Sequence, residues 1–126
     1  MSEKKAHKIL VVDDNQFYLQ IIESELKKLG CEVFTAQDGE KALSIADKEL
    51  PDLILIDLIL PKVDGFEVIE KLSKNKDLND SKIIVFSQLS QQEDIDKVKK
   101  LGADAYMIKK DFSVKELVDK IESMIK

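Results

Sequence analysis

The sequence has few of the features that mark extracellular and membrane proteins. Its single cysteine, Cys31, excludes an intramolecular disulfide and is typical of a small buried apolar residue in a reducing compartment. The longest apolar runs have the length of a strand, so no segment is expected to span a membrane. The basic N-terminus, MSEKKAHK, is not followed by an apolar stretch long enough for a signal peptide. We therefore expect a cytoplasmic protein without membrane insertion.

Positive charge is scarcer than negative charge. The chain has 20 Lys and Arg residues against 25 Asp and Glu residues, which gives a net charge of -5. Lysine and glutamate are mixed along the predicted helices, so the sequence offers no basic face for a phosphate backbone. A G-x-G-x-x-G motif is also missing. We expect no direct contact with nucleic acid and no dinucleotide cofactor.

What is present is the composition of one globular domain. Of the 126 residues, 44% are hydrophobic and 36% are charged, which is not the composition of a disordered chain. A chain of this length buries roughly two thirds of the surface that its unfolded state exposes, so it needs no disulfide or structural metal to fold. Because no linker or low-complexity segment interrupts it, residues 1–126 are expected to form a single domain.

Short apolar segments alternate with segments of helical spacing along the whole chain. Three continuous apolar runs are typical of parallel strands buried on both faces, and two more mixed segments are typical of strands near the sheet edges. In chain order, the predicted strands are 9–12, 31–36, 53–56, 83–86 and 103–108. This alternation predicts an α/β fold of the flavodoxin-like, doubly wound kind. We expect a five-stranded parallel sheet of order 2-1-3-4-5 with helices on both faces.

Polar residues come directly at the ends of four predicted strands. Asp13 and Asp14 follow the first strand, and Asp57 follows the third. Ser87 ends the fourth strand, and Lys109 follows the fifth. In an open α/β sheet, sites form beyond the carboxyl ends of the strands, near the point where strand order reverses. We therefore expect these side chains to lie together at one edge.

Such a cluster has the groups that phosphoryl transfer requires. Three carboxylates repel one another in a partly desolvated place, and a hard divalent cation such as Mg²⁺ relieves this repulsion. A lysine and a serine hydroxyl can hold the equatorial oxygens of a phosphoryl group. A carboxylate can also act as the nucleophile. The cluster therefore predicts a magnesium-dependent phosphoryl acceptor.

Each residue also has a simpler interpretation. Asp13 or Asp14 could cap the helix that starts near Asn15, and Asp57 could begin the turn ahead of Pro61. The serine and the lysine could be ordinary strand-end and surface residues. Two other functions share the fold: a binding module with an inactive site, and a flavodoxin-type electron carrier. The electron carrier needs a Ser-, Thr- or Gly-rich loop for the FMN phosphate, which the two aspartates after the first strand would repel.

Four blocks of the sequence resemble the signature of the receiver family of two-component response regulators. The resemblance covers essentially the whole chain, with the expected spacing between blocks. The blocks are VVDDN at 11–15, LILIDLILPKVDG at 53–65, IIVFS at 83–87 and GADAYMIKK at 102–110.

The resemblance implies a role for each residue of the cluster. Asp57 would accept the phosphoryl group, and Lys109 would be the lysine of the site. Asp13 and Asp14 would serve Mg²⁺ together with Asp57, with Asp14 the more direct ligand. The backbone carbonyl of Ile59 would be a further ligand. The domain would thereby catalyse its own phosphorylation and dephosphorylation without being an enzyme for a separate substrate.

The resemblance also implies partners and a conformational switch. The phosphodonor would be a histidine kinase or a histidine phosphotransfer protein. Ser87 and Tyr106 match the switch pair of the family, which changes the face made by the fourth helix, fifth strand and fifth helix. A downstream effector or a second copy would dock there. Ile95 and Val98 on that charged fourth helix could be contact points, or they could pack on the sheet.

The sequence departs from the family pattern after the lysine. Lys110 and Asp111 stand before Phe112 where the family usually has a proline. A cis peptide bond is therefore not expected at this place. Lys110 could compete with Lys109 for its role.

Overall fold

The computed structural model describes residues 6–125, so the first residues of the basic N-terminus and residue 126 lie outside the description. In the described part, five strands alternate with five helices. The strands are β1 (Lys8–Val12), β2 (Glu32–Ala36), β3 (Leu53–Ile56), β4 (Lys82–Ser87) and β5 (Ala105–Ile108). The helices are α1 (Gln16–Lys28), α2 (Gly39–Glu49), α3 (Gly65–Ser73), α4 (Gln92–Leu101) and α5 (Val114–Ile125). Short 3₁₀ turns cover Lys76–Leu78 and Lys109–Asp111.

All strands pair in parallel in one sheet of order β2-β1-β3-β4-β5. This confirms the predicted fold class. The continuous apolar runs form the central strands β1, β3 and β4, and their apolar residues are buried because helices cover both faces. The more mixed strands β2 and β5 lie at the edges, as predicted.

The edge strands begin later than the sequence predicted. The Cys31 N–H still donates to the Leu26 carbonyl at 3.2 Å, and the Ala103 N–H donates to the Val98 carbonyl at 2.9 Å. These amides close the last turns of α1 and α4, so strand pairing starts only after them. Cys31 is nevertheless buried, as predicted.

The helices divide between the two faces of the sheet. Buried residues of α1 and α5 pack on one face, and those of α2, α3 and α4 pack on the other. Val98 of α4 is fully buried among the residues of α2, α3 and the sheet, so the alternative that it contacts a partner is wrong. Ile95 is half-buried. No helix among residues 6–125 has the length and apolarity needed to cross a bilayer.

Two glycines allow close backbone approaches that hold the loop between β3 and α3. A Cβ on Gly65 would lie 2.5 Å from the Leu58 Cα, and a Cβ on Gly39 would lie 1.9 Å from the Val63 carbonyl oxygen. The Gly39 N–H also donates to the Pro61 carbonyl at 3.3 Å. Any side chain at these positions would displace backbone, so the loop after β3 is fixed against the starts of α2 and α3.

Candidate functional site

Four polar side chains lie together at the carboxyl edge of the sheet. Asp13 follows β1 and Asp57 follows β3, while Ser87 ends β4 and Lys109 follows β5. Their exposed fractions are 4%, 6%, 0% and 8%, and within the described residues they are the only buried polar or charged side chains. The parallel register therefore concentrates the buried polarity of the domain at one edge.

Lys109 bridges two of the aspartates. Its ammonium nitrogen lies 2.7 Å from Asp13 Oδ2 and 2.9 Å from Asp57 Oδ2. Burial disfavours the charged lysine, but the hydrogen bonds to Asp13 and Asp57 outweigh it, so the pKa of Lys109 lies above its ordinary value. Lys110 is exposed, so it is Lys109 that reaches the aspartates. The described part of the chain has no cis peptide bond, as expected.

Asp13 is held by contacts on both of its carboxylate oxygens. Burial raises the pKa of Asp13, and the hydrogen bonds from Lys109 and from the Asn15 backbone N–H offset this only in part. The Asn15 N–H donates to Asp13 Oδ1 at 2.9 Å. Because burial disfavours the charged form of this carboxylate, a further positive charge beside it would be stabilising.

Neither Asp13 nor Asp14 caps the first helix. The helix is capped by Asn15, whose side-chain oxygen accepts hydrogen bonds from the Phe17 N–H at 2.9 Å and from the Tyr18 N–H at 3.3 Å. The capping alternative for the two aspartates is therefore wrong. Both carboxylates remain available to the cluster, because asparagine satisfies the free amides of the first turn.

The aspartate cluster has the composition of a metal site. One oxygen from each of Asp13, Asp14 and Asp57 lies within 4.8 Å of the others. Asp14 is exposed whereas the other two are buried, so the cluster opens to solvent on the Asp14 side. An all-oxygen donor set with an open side fits Mg²⁺, which takes oxygen ligands and keeps several waters. The cluster could therefore hold a metal ion.

The chain after Asp57 turns back toward its carboxylate. The Ile59 N–H donates to Asp57 Oδ1 at 3.2 Å. This hydrogen bond keeps the Ile59 backbone beside the cluster, while its side chain is 56% exposed.

Ser87 and Tyr106 are linked through the backbone of Leu89. The Leu89 N–H donates to Ser87 Oγ at 3.3 Å, and the Tyr106 hydroxyl donates to the Leu89 carbonyl at 2.6 Å. Burial raises the pKa of Tyr106, and the carboxylates of Asp94 and Asp57 add to the effect. The pair was expected from the sequence, but the backbone link through Leu89 was not, because hydrogen bonds of a backbone cannot be read from residue type.

Two aromatic rings at the site were also missed. The Lys109 nitrogen lies 4.4 Å from the ring centre of Tyr18 and 5.8 Å from that of Phe86. The two rings meet edge to face, with centres 5.7 Å apart and planes at 87°. An opening of about 190 Å³ beside Lys109 is lined by Tyr18, Gln88, Lys109 and Lys110. In the sequence, Tyr18 is only a helical residue next to the apolar stripe of α1.

Known proteins of one family share this architecture. Residues 9–122 match the family model described as the response regulator receiver domain. A probable transcriptional regulator, ycf27, of Porphyridium aerugineum is 42% identical over 119 residues, which cover 94% of this chain and 48% of that protein. The alkaline phosphatase synthesis transcriptional regulatory protein PhoP of Bacillus subtilis is 39% identical over 121 residues, with 94% and 48% covered. The chain spans about half the length of these relatives.

A solved structure extends the similarity to three dimensions. The chemotaxis response regulator CheY4 of Vibrio cholerae superposes with a TM-score of 0.87 at 28% identity, over 95% of this chain and 99% of the other. This agreement covers nearly the whole of both chains, so the two proteins share one fold.

Proposed function

The chain belongs to the response regulator receiver domain family, and on that premise we propose that Asp57 accepts a phosphoryl group in a magnesium-dependent reaction. A receiver domain of the two-component type is a phosphorylation-dependent switch. The observation that carries the assignment of the site is the buried contact of Lys109 with Asp13 and Asp57. We infer that residues 1–126 form one such domain.

Each residue of the cluster has a distinct part in the proposed reaction. A carboxylate oxygen of Asp57 forms a bond to phosphorus, and the bond from phosphorus to the donor breaks, with its electron pair leaving on the donor. The ammonium of Lys109 moves from carboxylate to phosphoryl oxygen as that charge arrives. Ser87 donates its hydroxyl to another phosphoryl oxygen. The net charge at the carboxyl edge changes little during the proposed reaction, because the Lys109 ammonium is already at the site.

The acidic cluster supports a place for Mg²⁺ in this reaction. Asp13, Asp14 and Asp57 would hold the ion, with the Ile59 backbone carbonyl as a further ligand. When bound, the ion neutralises charge on the phosphoryl oxygens and on the carboxylates. The chain's own contribution is to keep three oxygens within 4.8 Å of one another on an edge open to solvent.

We propose that the donor is a histidine kinase or a histidine phosphotransfer protein, acting in the cytoplasm. The single cysteine is consistent with a reducing compartment. After phosphorylation, the face made by α4, β5 and α5 would bind a downstream effector or a second copy of the chain. The link from Ser87 through Leu89 to Tyr106 supports this, because it joins the site to β5.

The assignment of Asp57 is tested by phosphorylation with acetyl phosphate and Mg²⁺, followed by mass spectrometry of the intact protein. Wild type should gain one phosphoryl group, and Asp57→Asn should gain none, because only the carboxylate can form the acyl phosphate. Omission of Mg²⁺ should also prevent the gain. Asp80→Asn, at an exposed position away from the cluster, is the matched control and should behave as wild type. Stoichiometric labelling of Asp57→Asn would contradict the proposal, and a wild type that takes no phosphate would favour a binding module.

A further inference from the structure

Two contacts of Lys109 are hydrogen bonds to carboxylates, and its third N–H donor is free to face the aromatic rings beside it. A lysine ammonium has three N–H donors, and two of them meet Asp13 and Asp57. The ring centre of Tyr18, at 4.4 Å from the nitrogen, is within the range of about 6 Å at which a ring face attracts a cation. We propose that Tyr18 is a positioning residue for phosphoryl transfer, and that its ring holds the Lys109 ammonium in the site while the carboxylates change partners. This inference rests on the proposed function.

The Tyr18 ring is itself held firmly. It meets Phe86 edge to face, and Phe86 lies in the central strand β4 and is only 2% exposed. The Tyr18 backbone N–H donates to the capping side chain of Asn15 at the start of α1. The cap anchors the Tyr18 backbone, and Phe86 limits the positions open to the ring. A ring restricted in this way can hold a flexible lysine at low entropic cost.

The proposed reaction weakens the other contacts of Lys109. A divalent cation among the carboxylates would repel the ammonium and compete for the oxygens of Asp13 and Asp57. The attraction of the Tyr18 ring does not depend on those oxygens. It therefore persists when the carboxylates are shared, and the ammonium remains in reach of an incoming phosphoryl oxygen.

The opening beside Lys109 offers its side chain a way out of the site, and the Tyr18 ring stands at that opening. Tyr18 forms part of its lining, together with Gln88 and Lys110. A lysine released from the carboxylates could turn into this space and reach solvent. Loss of the ring would both widen the opening and remove the attraction, so the ammonium would spend less time at the site.

A series of substitutions at Tyr18 separates the ring from the hydroxyl and from simple packing. Tyr18→Phe keeps the ring face, whereas Tyr18→Leu and Tyr18→Met keep apolar volume without it. With acetyl phosphate and saturating Mg²⁺, the rate constant of phosphorylation should fall roughly tenfold in the Leu and Met variants and stay within about twofold of wild type in the Phe variant. Phe17→Leu changes a neighbouring ring that is 68% exposed and meets the Tyr18 ring edge to face, with centres 6.5 Å apart. This variant tests whether disturbed packing of the Tyr18 ring alone slows the reaction, and its rate constant should stay within about twofold of wild type.

A second measurement needs neither metal nor phosphodonor. The ε-methylene protons of Lys109 should be shifted upfield by the Tyr18 ring in NMR spectra of wild type and Tyr18→Phe, and this shift should be largely lost in Tyr18→Leu and Tyr18→Met. Unchanged rates in both non-aromatic variants, or an equal loss in Tyr18→Phe, would overturn the inference. A wild type that takes no phosphate would instead contradict the proposed function, and the methylene shift would still decide whether Tyr18 holds Lys109.

Discussion

Lys109 reduces the electrostatic repulsion within the aspartate cluster of the free protein. From the sequence, three carboxylates at one edge should repel one another until a cation arrives. In the structure, the Lys109 ammonium contacts two of them, and the third, Asp14, is exposed to solvent. The free domain is therefore less strained by repulsion than the sequence suggested. Removing Lys109 would leave the two buried carboxylates with their backbone N–H donors but without a cation. An uncompensated buried charge of this kind is strongly destabilising.

We expect single residues to set the lifetime of the proposed phosphorylated state as well. Hydrolysis needs a water in line with the bond from phosphorus to the Asp57 oxygen. Ile59 and Leu89 stand two positions after Asp57 and two after Ser87, and the resemblance to the receiver family implies that their side chains flank that approach. Neither side chain can hydrogen-bond a water, so we expect slow loss of phosphate. Replacing them together with Ile59→Asn and Leu89→Glu should speed the loss about 10-fold, equivalent to about 1.4 kcal/mol of barrier.

This lifetime is measured as phosphate release over time after the donor is removed. A double variant with Ile59→Leu and Leu89→Met keeps both positions apolar and should decay at the wild-type rate. Rapid decay of the wild type that neither pair of substitutions changes would show that something other than water access limits the rate.

Among the elements, α4 and β5 are joined to the site by the loop that carries Leu89. The Tyr106 hydroxyl, on β5, donates to the Leu89 carbonyl, and Tyr106 is half-buried. Ser87 accepts from the same residue on its other side. A Ser87 hydroxyl drawn to a phosphoryl oxygen would therefore pull on a loop that is tied to β5.

Binding of beryllofluoride with Mg²⁺, as a phosphoryl mimic, should shift the NMR signals of α4, β5 and α5. The physical reason is the movement of Ser87 and of the loop through Leu89. Tyr106→Phe removes the hydroxyl that holds the Leu89 carbonyl and should reduce the shifts in α4. Signals from the carboxyl-terminal half of α2 serve as the internal reference. This helix packs on β1 and β2, at the opposite end of the sheet from β4 and β5. Unchanged signals in α4 and β5 on binding the mimic would contradict the switch.

For the whole molecule, metal binding should appear as added stability. A ligand that binds only the native state stabilises it by about 1.4 kcal/mol at ten times its Kd. In a domain of this size, that corresponds to a rise in Tm of about 5 °C. Saturating Mg²⁺ should therefore raise the Tm of wild type in a thermal melt followed by circular dichroism.

Asp14→Ala should abolish this response to Mg²⁺. Because Asp14 is exposed and outside the contacts of Lys109, its loss should leave the Tm in EDTA near or slightly above that of wild type. Asp80→Ala is the control for removal of one surface charge and should keep the full response. A wild-type melting curve indifferent to Mg²⁺ would count against a metal site at this edge.

The positions of the strands and the residues of the cluster could be predicted from the sequence because both depend on local pattern. The strand order followed from the alternation of strands and helices together with the right-handedness of crossovers and the flavodoxin-like fold type. A run such as 53–56 is apolar because the strand is buried on both faces, and a polar residue directly after such a run must lie at the carboxyl edge. The strand starts were predicted too early at Cys31 and Ala103, since a helix-closing hydrogen bond cannot be read from residue type.

The sequence by itself determined that polar residues end four strands of one parallel sheet. Only the tertiary structure decided which of them touch. It brought Lys109, and not Lys110, to the aspartates; it buried Val98; and it set Tyr18 against the lysine. The physical reason is that periodicity reports which face a residue occupies along its own element. Contacts between elements depend instead on strand register and on how each helix packs over the sheet, which arise only when the whole chain is folded.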